Sequence, residues 1–143
     1  MKFKEFGVKN STLTNIEVDN YAKKLKLKYY IPHRMRDELV GKPKANECGI
    51  INTNVSSGKG FHYVCYFKKG NSKIYFDSFG MKPLIQIRKY LGKNILYSTF
   101  RIQKLEDTNC GQLALYVLYR LNQGKDFKDI IFELLEENKF EGV

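Results

Sequence analysis

Ile16, Tyr21 and Leu25 fall at helical spacing behind Thr14, and Thr14 with Glu17 forms the Thr-x-x-Glu pattern that caps a helix start. The spacing predicts a helix over about 15–27. Tyr29-Tyr30-Ile31 reads as a short extended piece stopped at Pro32, followed by one helical turn over 34–39 and a polar loop over 41–47. The apolar run 48–52 is then a buried strand, and 53–60 a Ser/Gly/Asn loop. Aromatic and β-branched residues over 61–67 and again over 73–77 predict two strands, joined by a hairpin turn at Lys68-Lys69-Gly70-Asn71. Pro83 suits the first turn of a helix carrying Leu84, Ile87 and Leu91 and closed by Gly92, and 95–103 alternates as a further strand. After a polar turn at 104–109, Leu113, Leu115, Val117, Leu118 and Leu121 are apolar around much of a helical circumference, so that helix belongs in the domain centre. A last helix, about 127–138, turns Phe127, Ile130, Ile131, Leu134 and Leu135 inward. Helices stand ahead of and behind a strand cluster. The class is α+β.

Length and charge sharpen that picture. The 143 residues, 43% hydrophobic, suit one domain over 1–143 with a core that needs no metal or disulfide staple. Three cysteines without a CxxC pair point to a reducing compartment, and no run approaches the ~20 apolar residues of a membrane span, so a soluble intracellular or particle-packaged protein is expected. The net charge of +10 is uneven: +14 over 1–104 and −4 over 105–143. Such a surface attracts polyanions, but only 5 of the 25 basic residues are Arg, which favours nonspecific over base-specific nucleic-acid contact.

Chemistry gathers at the element ends. Cys110 opens the central helix, where free N–H groups and the positive dipole end favour a thiolate. Cys48 and Cys65 lie inside apolar runs and read as small hydrophobes. Of the two histidines, His33 sits in a basic stretch and is expected to be uncharged and solvated, whereas His62 opens a strand after a glycine-bearing loop. Antiparallel pairing brings the open ends of the hairpin together, so His62 and Asp77 should meet, the carboxylate fixing the imidazole for proton transfer. Gln103, seven residues before Cys110, is a candidate oxyanion donor beside the Cys110 backbone N–H. No phosphate loop and no zinc-ligand spacing is found, and no metal is expected.

The order His62, Asp77, Gln103, Cys110 resembles the adenovirus maturation protease (adenain) and the wider clan of SUMO-specific proteases. The similar segments are Gly49-Ile50-Ile51-Asn52-Thr53, Gly60-Phe61-His62-Tyr63, Tyr75-Phe76-Asp77-Ser78-Phe79-Gly80 and Gln103 through Cys110-Gly111, within blocks covering about half the chain. The acid-x-Phe-Gly motif is the most specific, and the spacing from Gln103 to Cys110 matches the adenoviral form rather than the SUMO-protease form, which is shorter by one. The resemblance implies a papain-like cysteine protease fold: a small mixed sheet packed by helices, with Cys110 as nucleophile, His62 as general base, Asp77 as its orienting acid and Gln103 in the oxyanion hole. Small size and Lys/Asn/Ile-rich composition resemble proteases of virophages or self-synthesising DNA transposons. The implied role is cleavage of capsid or other virion precursors during maturation by a monomer, in the virion or at the assembly site inside the host cell. No cofactor is implied beyond possible activation by DNA or a peptide. Tyr63 stands where the family carries Trp, Asp77 follows the SUMO-protease rather than the adenoviral choice, and the chain stops soon after its last helix, so an activating-peptide site does not carry over. Deconjugation of SUMO or ubiquitin-like proteins is the enzymatic alternative, and a non-catalytic basic nucleic-acid-binding virion protein is the other.

Overall fold

A computed structural model describes residues 7–54, 62–102 and 108–141. Five strands form one mixed sheet: β1 (Tyr30–Met35), β2 (Asn46–Asn52), β3 (Tyr63–Lys69), β4 (Ser72–Phe76) and β5 (Ile95–Tyr97), in the spatial order β1-β2-β3-β4-β5. The outer pairs β1/β2 and β4/β5 run parallel and the inner pairs antiparallel. Alternation along β2 and β3 divides the core. Cys48, Ile50, Tyr63 and Cys65 face α1 (Asn15–Lys24), α3 (Cys110–Asn122) and α4 (Phe127–Glu141), while Ile51, Val64 and Tyr66 face α2 (Ile85–Leu91). Helices therefore cover both faces of a mixed sheet whose inner pairs are antiparallel, and the class is α+β. Among the described residues no helix is long and apolar enough to cross a membrane.

The expected capping box is present, with Glu17 N donating to Thr14 Oγ1 at 3.2 Å and Thr14 N to Glu17 Oε1 at 3.0 Å. The buried stripe of α1 is nevertheless Val18 and Ala22, and Ile16 is 71% exposed. Two residues advance a helix by about 200°, so Ile16 and Val18 cannot share a face. β1 runs through Pro32 instead of stopping there. It is an edge strand whose pairing breaks register between Ile31 and Arg34, where a residue without an N–H is tolerated. The helical turn after it is a single 3-10 turn, Arg36–Glu38. The hairpin turn is tighter than expected: Lys69 pairs with Ser72, leaving Gly70 (φ +59°) and Asn71 to reverse the chain. Pro83 lies outside α2, because Leu84 is still extended at the N-cap. β5 ends at Tyr97. Beyond it Ile102 N donates to Ser78 O at 2.8 Å, tying the segment to the end of β4 in place of a strand ladder.

Sheet and α2 also share a buried polar cluster. Glu47, placed by sequence in a loop, is 3% exposed in β2 and accepts from the Tyr66 and Tyr90 hydroxyls, each at 2.5 Å. The Arg34 guanidinium donates to both tyrosines. Burial pushes the Glu47 carboxyl upward, but these hydroxyls, the Lys44 N–H and the Arg34 charge outweigh it and hold Glu47 below the usual carboxylate range. Gly49 is required beside it, since a Cβ there would stand 3.0 Å from the Tyr66 ring.

Candidate active site

The β3–β4 hairpin sets the first half of the site. Cys65 pairs with Phe76, so the residues just outside the ladder, His62 before β3 and Asp77 after β4, emerge at the same open end. His62 Nε2 lies 2.7 Å from Asp77 Oδ1. The four residues leaving β4 each hold this contact in place. Asp77 Oδ1 also accepts the Phe79 N–H at 2.9 Å, which fixes the carboxylate, and Gly80 N closes the turn on Asp77 O at 2.8 Å. The Phe79 ring stacks on the imidazole, centroids 4.3 Å apart and 12° from parallel. Ser78 is fully buried and its carbonyl accepts Ile102 N. Gly80 turns with φ +73°, and a Cβ there would stand 2.6 Å from Thr99 O. Gly80→Ala should therefore destabilise the fold by roughly 1–3 kcal/mol and loosen the imidazole–carboxylate contact, read as a lowered denaturation midpoint together with a reduced His62 pKa. An unchanged midpoint would show that the turn relaxes freely.

The second half is the start of α3. Cys110 is its first residue, 6% exposed, with Sγ accepting the Tyr63 backbone N–H at 3.4 Å. Tyr63 is pinned in turn, its single hydroxyl proton shared between Asn15 Oδ1 at 2.8 Å and Leu13 O at 3.1 Å. Gly111 lets the helix start approach this closely, because a Cβ would meet both the Tyr63 ring and Leu13 at 3.2 Å. Gln112 Nε2 adds a tie, donating to Lys9 O at 2.9 Å and Ser11 O at 2.5 Å.

The two halves meet at the imidazole. With Nε2 occupied by Asp77, Nδ1 is the nitrogen left for Cys110, whose sulfur hydrogen-bonds the ring. Burial lowers the proton affinity of His62, but the hydrogen bonds and negative charges of Asp77 and Cys110 outweigh it and push the pKa up to about 9. The imidazole is thus held protonated at neutral pH, facing a sulfur at a helix N-terminus. A proton carrier held this way beside a sulfur is the arrangement that nucleophilic catalysis by a cysteine requires.

The sequence thus brings three of its four site residues, His62, Asp77 and Cys110, to one place; Gln103 lies outside the described residues. Two participants were not legible in the sequence: the Phe79 ring on the imidazole and the Tyr63 N–H on the sulfur. Their only signal is adjacency to Asp77 and His62. The other thiols match the hydrophobic reading: burial pushes Cys48 up to about 12 and Cys65 well above its ordinary value. His33 is a correction. It is not left to solvent, since Nδ1 lies 2.5 Å from Asp19 Oδ2 and its backbone N–H donates to Asp19 Oδ1 at 2.7 Å. The acid that holds it comes from α1 and is invisible to a reading of the flanking residues. Among the described residues no three His, Cys, Asp or Glu side chains gather as metal ligands.

No protein-family model and no curated sequence matches the chain. In structure it is similar to the ASFV pS273R protease. With the selenomethionine crystal form the TM-score is 0.61 at 19% identity, covering 87% of this chain and 63% of that one. With a second crystal structure of the same protease it is 0.55 at 18% identity, covering 87% and 62%. The chain spans less than two thirds of the length of these neighbours. Its fold is the adenain/SUMO-protease-like cysteine protease fold.

Proposed function

We propose that this chain is a viral cysteine endopeptidase in which Cys110 is the nucleophile, His62 the proton carrier and Asp77 its orienting acid. The observation that carries the reading is the assembled contact set: Asp77 on Nε2 of His62, and the Cys110 sulfur, at the first residue of α3, on the backbone N–H of the adjoining Tyr63 and close enough to raise the proton affinity of the ring. The Cys110 thiolate attacks the peptide carbonyl. The oxyanion is held by the Cys110 backbone N–H and, as the resemblance implies, by the Gln103 amide, a single donor of this kind being worth ~2.7–4 kcal/mol. Nδ1 passes its proton to the departing amine as the C–N bond breaks, leaving a thioester. The now neutral imidazole then takes a proton from water, whose oxygen displaces the thiolate and restores the ion pair. Asp77 keeps the ring's tautomer and orientation through both steps without taking the proton.

The substrates we assign are capsid or other virion precursors, cleaved during particle maturation. Reaction with iodoacetamide at neutral pH tests the chemistry independently of any substrate. Cys110 should alkylate ahead of Cys48 and Cys65 by at least about tenfold, and His62→Ala should abolish the difference. Equal labelling of all three thiols would refute an activated Cys110. Incubation with SUMO and ubiquitin conjugates separates the deconjugating alternative, since the maturation reading expects no modifier to be released.

A further inference from the structure

The active-site turn continues into two apolar side chains that the fold leaves uncovered. Met81 follows Gly80 directly and is 60% exposed; Phe100 is 52% exposed. They are neighbours because Gly80 lets two backbones touch: a Cβ on Gly80 would come within 2.8 Å of the Phe100 carbonyl. The Ile102 N–H on Ser78 O anchors the Phe100 segment to the same turn. Phe79, partly buried, joins this surface to the imidazole by stacking on His62. Phe79 on the imidazole, Met81 two residues on and the Phe100 segment against Gly80 thus belong to one turn beside the proton carrier. Large exposed hydrophobics held beside a reactive centre by a close glycine contact are a recognition feature more than a packing one.

The chemistry fixes which part of a substrate reaches it. In the tetrahedral adduct the oxyanion turns toward the start of α3, while the leaving nitrogen must face Nδ1 to collect its proton. The chain on the leaving-group side thus departs past the imidazole. We propose that Met81 and Phe100 form a subsite for an apolar side chain immediately C-terminal to the scissile bond. The proposal rests on the protease reading and adds its leaving-group specificity. Continuity of this turn with His62 through Phe79 sets the occupant.

Aminolysis of the acyl-enzyme tests this without a known cleavage sequence, because an incoming amine occupies the position from which the leaving amine departs. p-Nitrophenyl acetate acetylates Cys110: the thiolate attacks the ester carbonyl, the C–O bond breaks, and Nδ1 passes its proton to the departing p-nitrophenolate, leaving a neutral imidazole. An amino-acid amide then attacks the thioester carbonyl, the C–S bond breaks, the amine proton passes to Nδ1, and the thiolate is restored. Glycinamide and leucinamide compete in the same tube, their products corrected for the intrinsic reactivity of each amine with a free thioester. Leucinamide should be favoured by roughly tenfold, the low end for an apolar side chain entering a pocket. Met81→Ser and Phe100→Ser, at exposed positions, should each lower that preference several-fold, a ratio independent of how fast the acetyl-enzyme forms, whereas Val40→Ser, at a site 80% exposed, leaves it intact. Equal use of the two amides by the native protein, or a preference unmoved in both serine variants, overturns the subsite while leaving the protease reading in place. Absence of acetyl-Cys110 by intact mass overturns the protease reading and the subsite with it.

Discussion

Cys110→Ala yields a folded protein that no longer hydrolyses peptide bonds. The loss should be at least about 10⁴-fold in kcat, since removal of a covalent nucleophile leaves only binding and oxyanion stabilisation. Stability should change little, by roughly 1 kcal/mol or less, because Ala fills most of the space and the residues that position the helix start, Tyr63, Leu13 and Gly111, are untouched. The sulfur has a second measurable effect. It is one of the two groups that hold the His62 proton, so in Cys110→Ala the imidazole should titrate below its native value of about 9. Cleavage of a capsid precursor, the denaturation midpoint and the imidazole titration by NMR read the three effects separately. Precursor cleavage at the native rate would remove Cys110 from the mechanism whatever the other two show.

The site was legible in the sequence where local pattern fixes long-range position, and opaque where it does not. A hairpin is such a case: once 61–67 and 73–77 are strands and Gly70 turns the chain, the period of two and the turn set the register, and His62 and Asp77 must emerge together. Cys110 is another, because the start of a helix apolar on most sides must point into the domain while offering its N-terminus. Contacts made between elements left no such trace. Asp19 reaches His33 from α1, and Tyr90 and Arg34 reach Glu47 from α2 and β1, so flanking residues misplace both His33 and Glu47. The stretch after Tyr97 alternates like a strand, yet the N–H of Ile102 goes to Ser78 O, and that tertiary bond overrides the pattern. Pro32 misleads in the opposite sense, because a break for an inner strand is harmless on an edge. Ile16 shows the limit of helical spacing alone. Three apolar positions define a stripe only when their angles agree, and Val18 with Ala22 holds the better claim.

Asp77→Asn should reshape the pH dependence as well as the rate. In the native protein His62 is raised from an ordinary 6.5 to about 9, so between those values the folded state keeps a proton that the unfolded chain has released. The stability this supplies is complete below pH 6.5 and is lost as pH rises through 9. Catalysis, which needs the imidazolium as proton donor, follows the same limb, with kcat/KM falling above about pH 9. Asn at position 77 can still accept the Phe79 N–H, so the turn and the stacked ring survive, but the negative charge that favours imidazolium is gone. Both limbs, activity and stability, should then move to lower pH, and kcat should drop by roughly 10²–10⁴ as the ring loses its fixed tautomer. A purely structural Asp77 predicts something different: a lower denaturation midpoint with the alkaline limb unmoved at about 9. The direction of that limb therefore separates an orienting acid from a turn residue, because Asn keeps the bond to the Phe79 N–H but supplies neither the carboxylate's charge nor its charge-assisted hydrogen bond to the imidazolium.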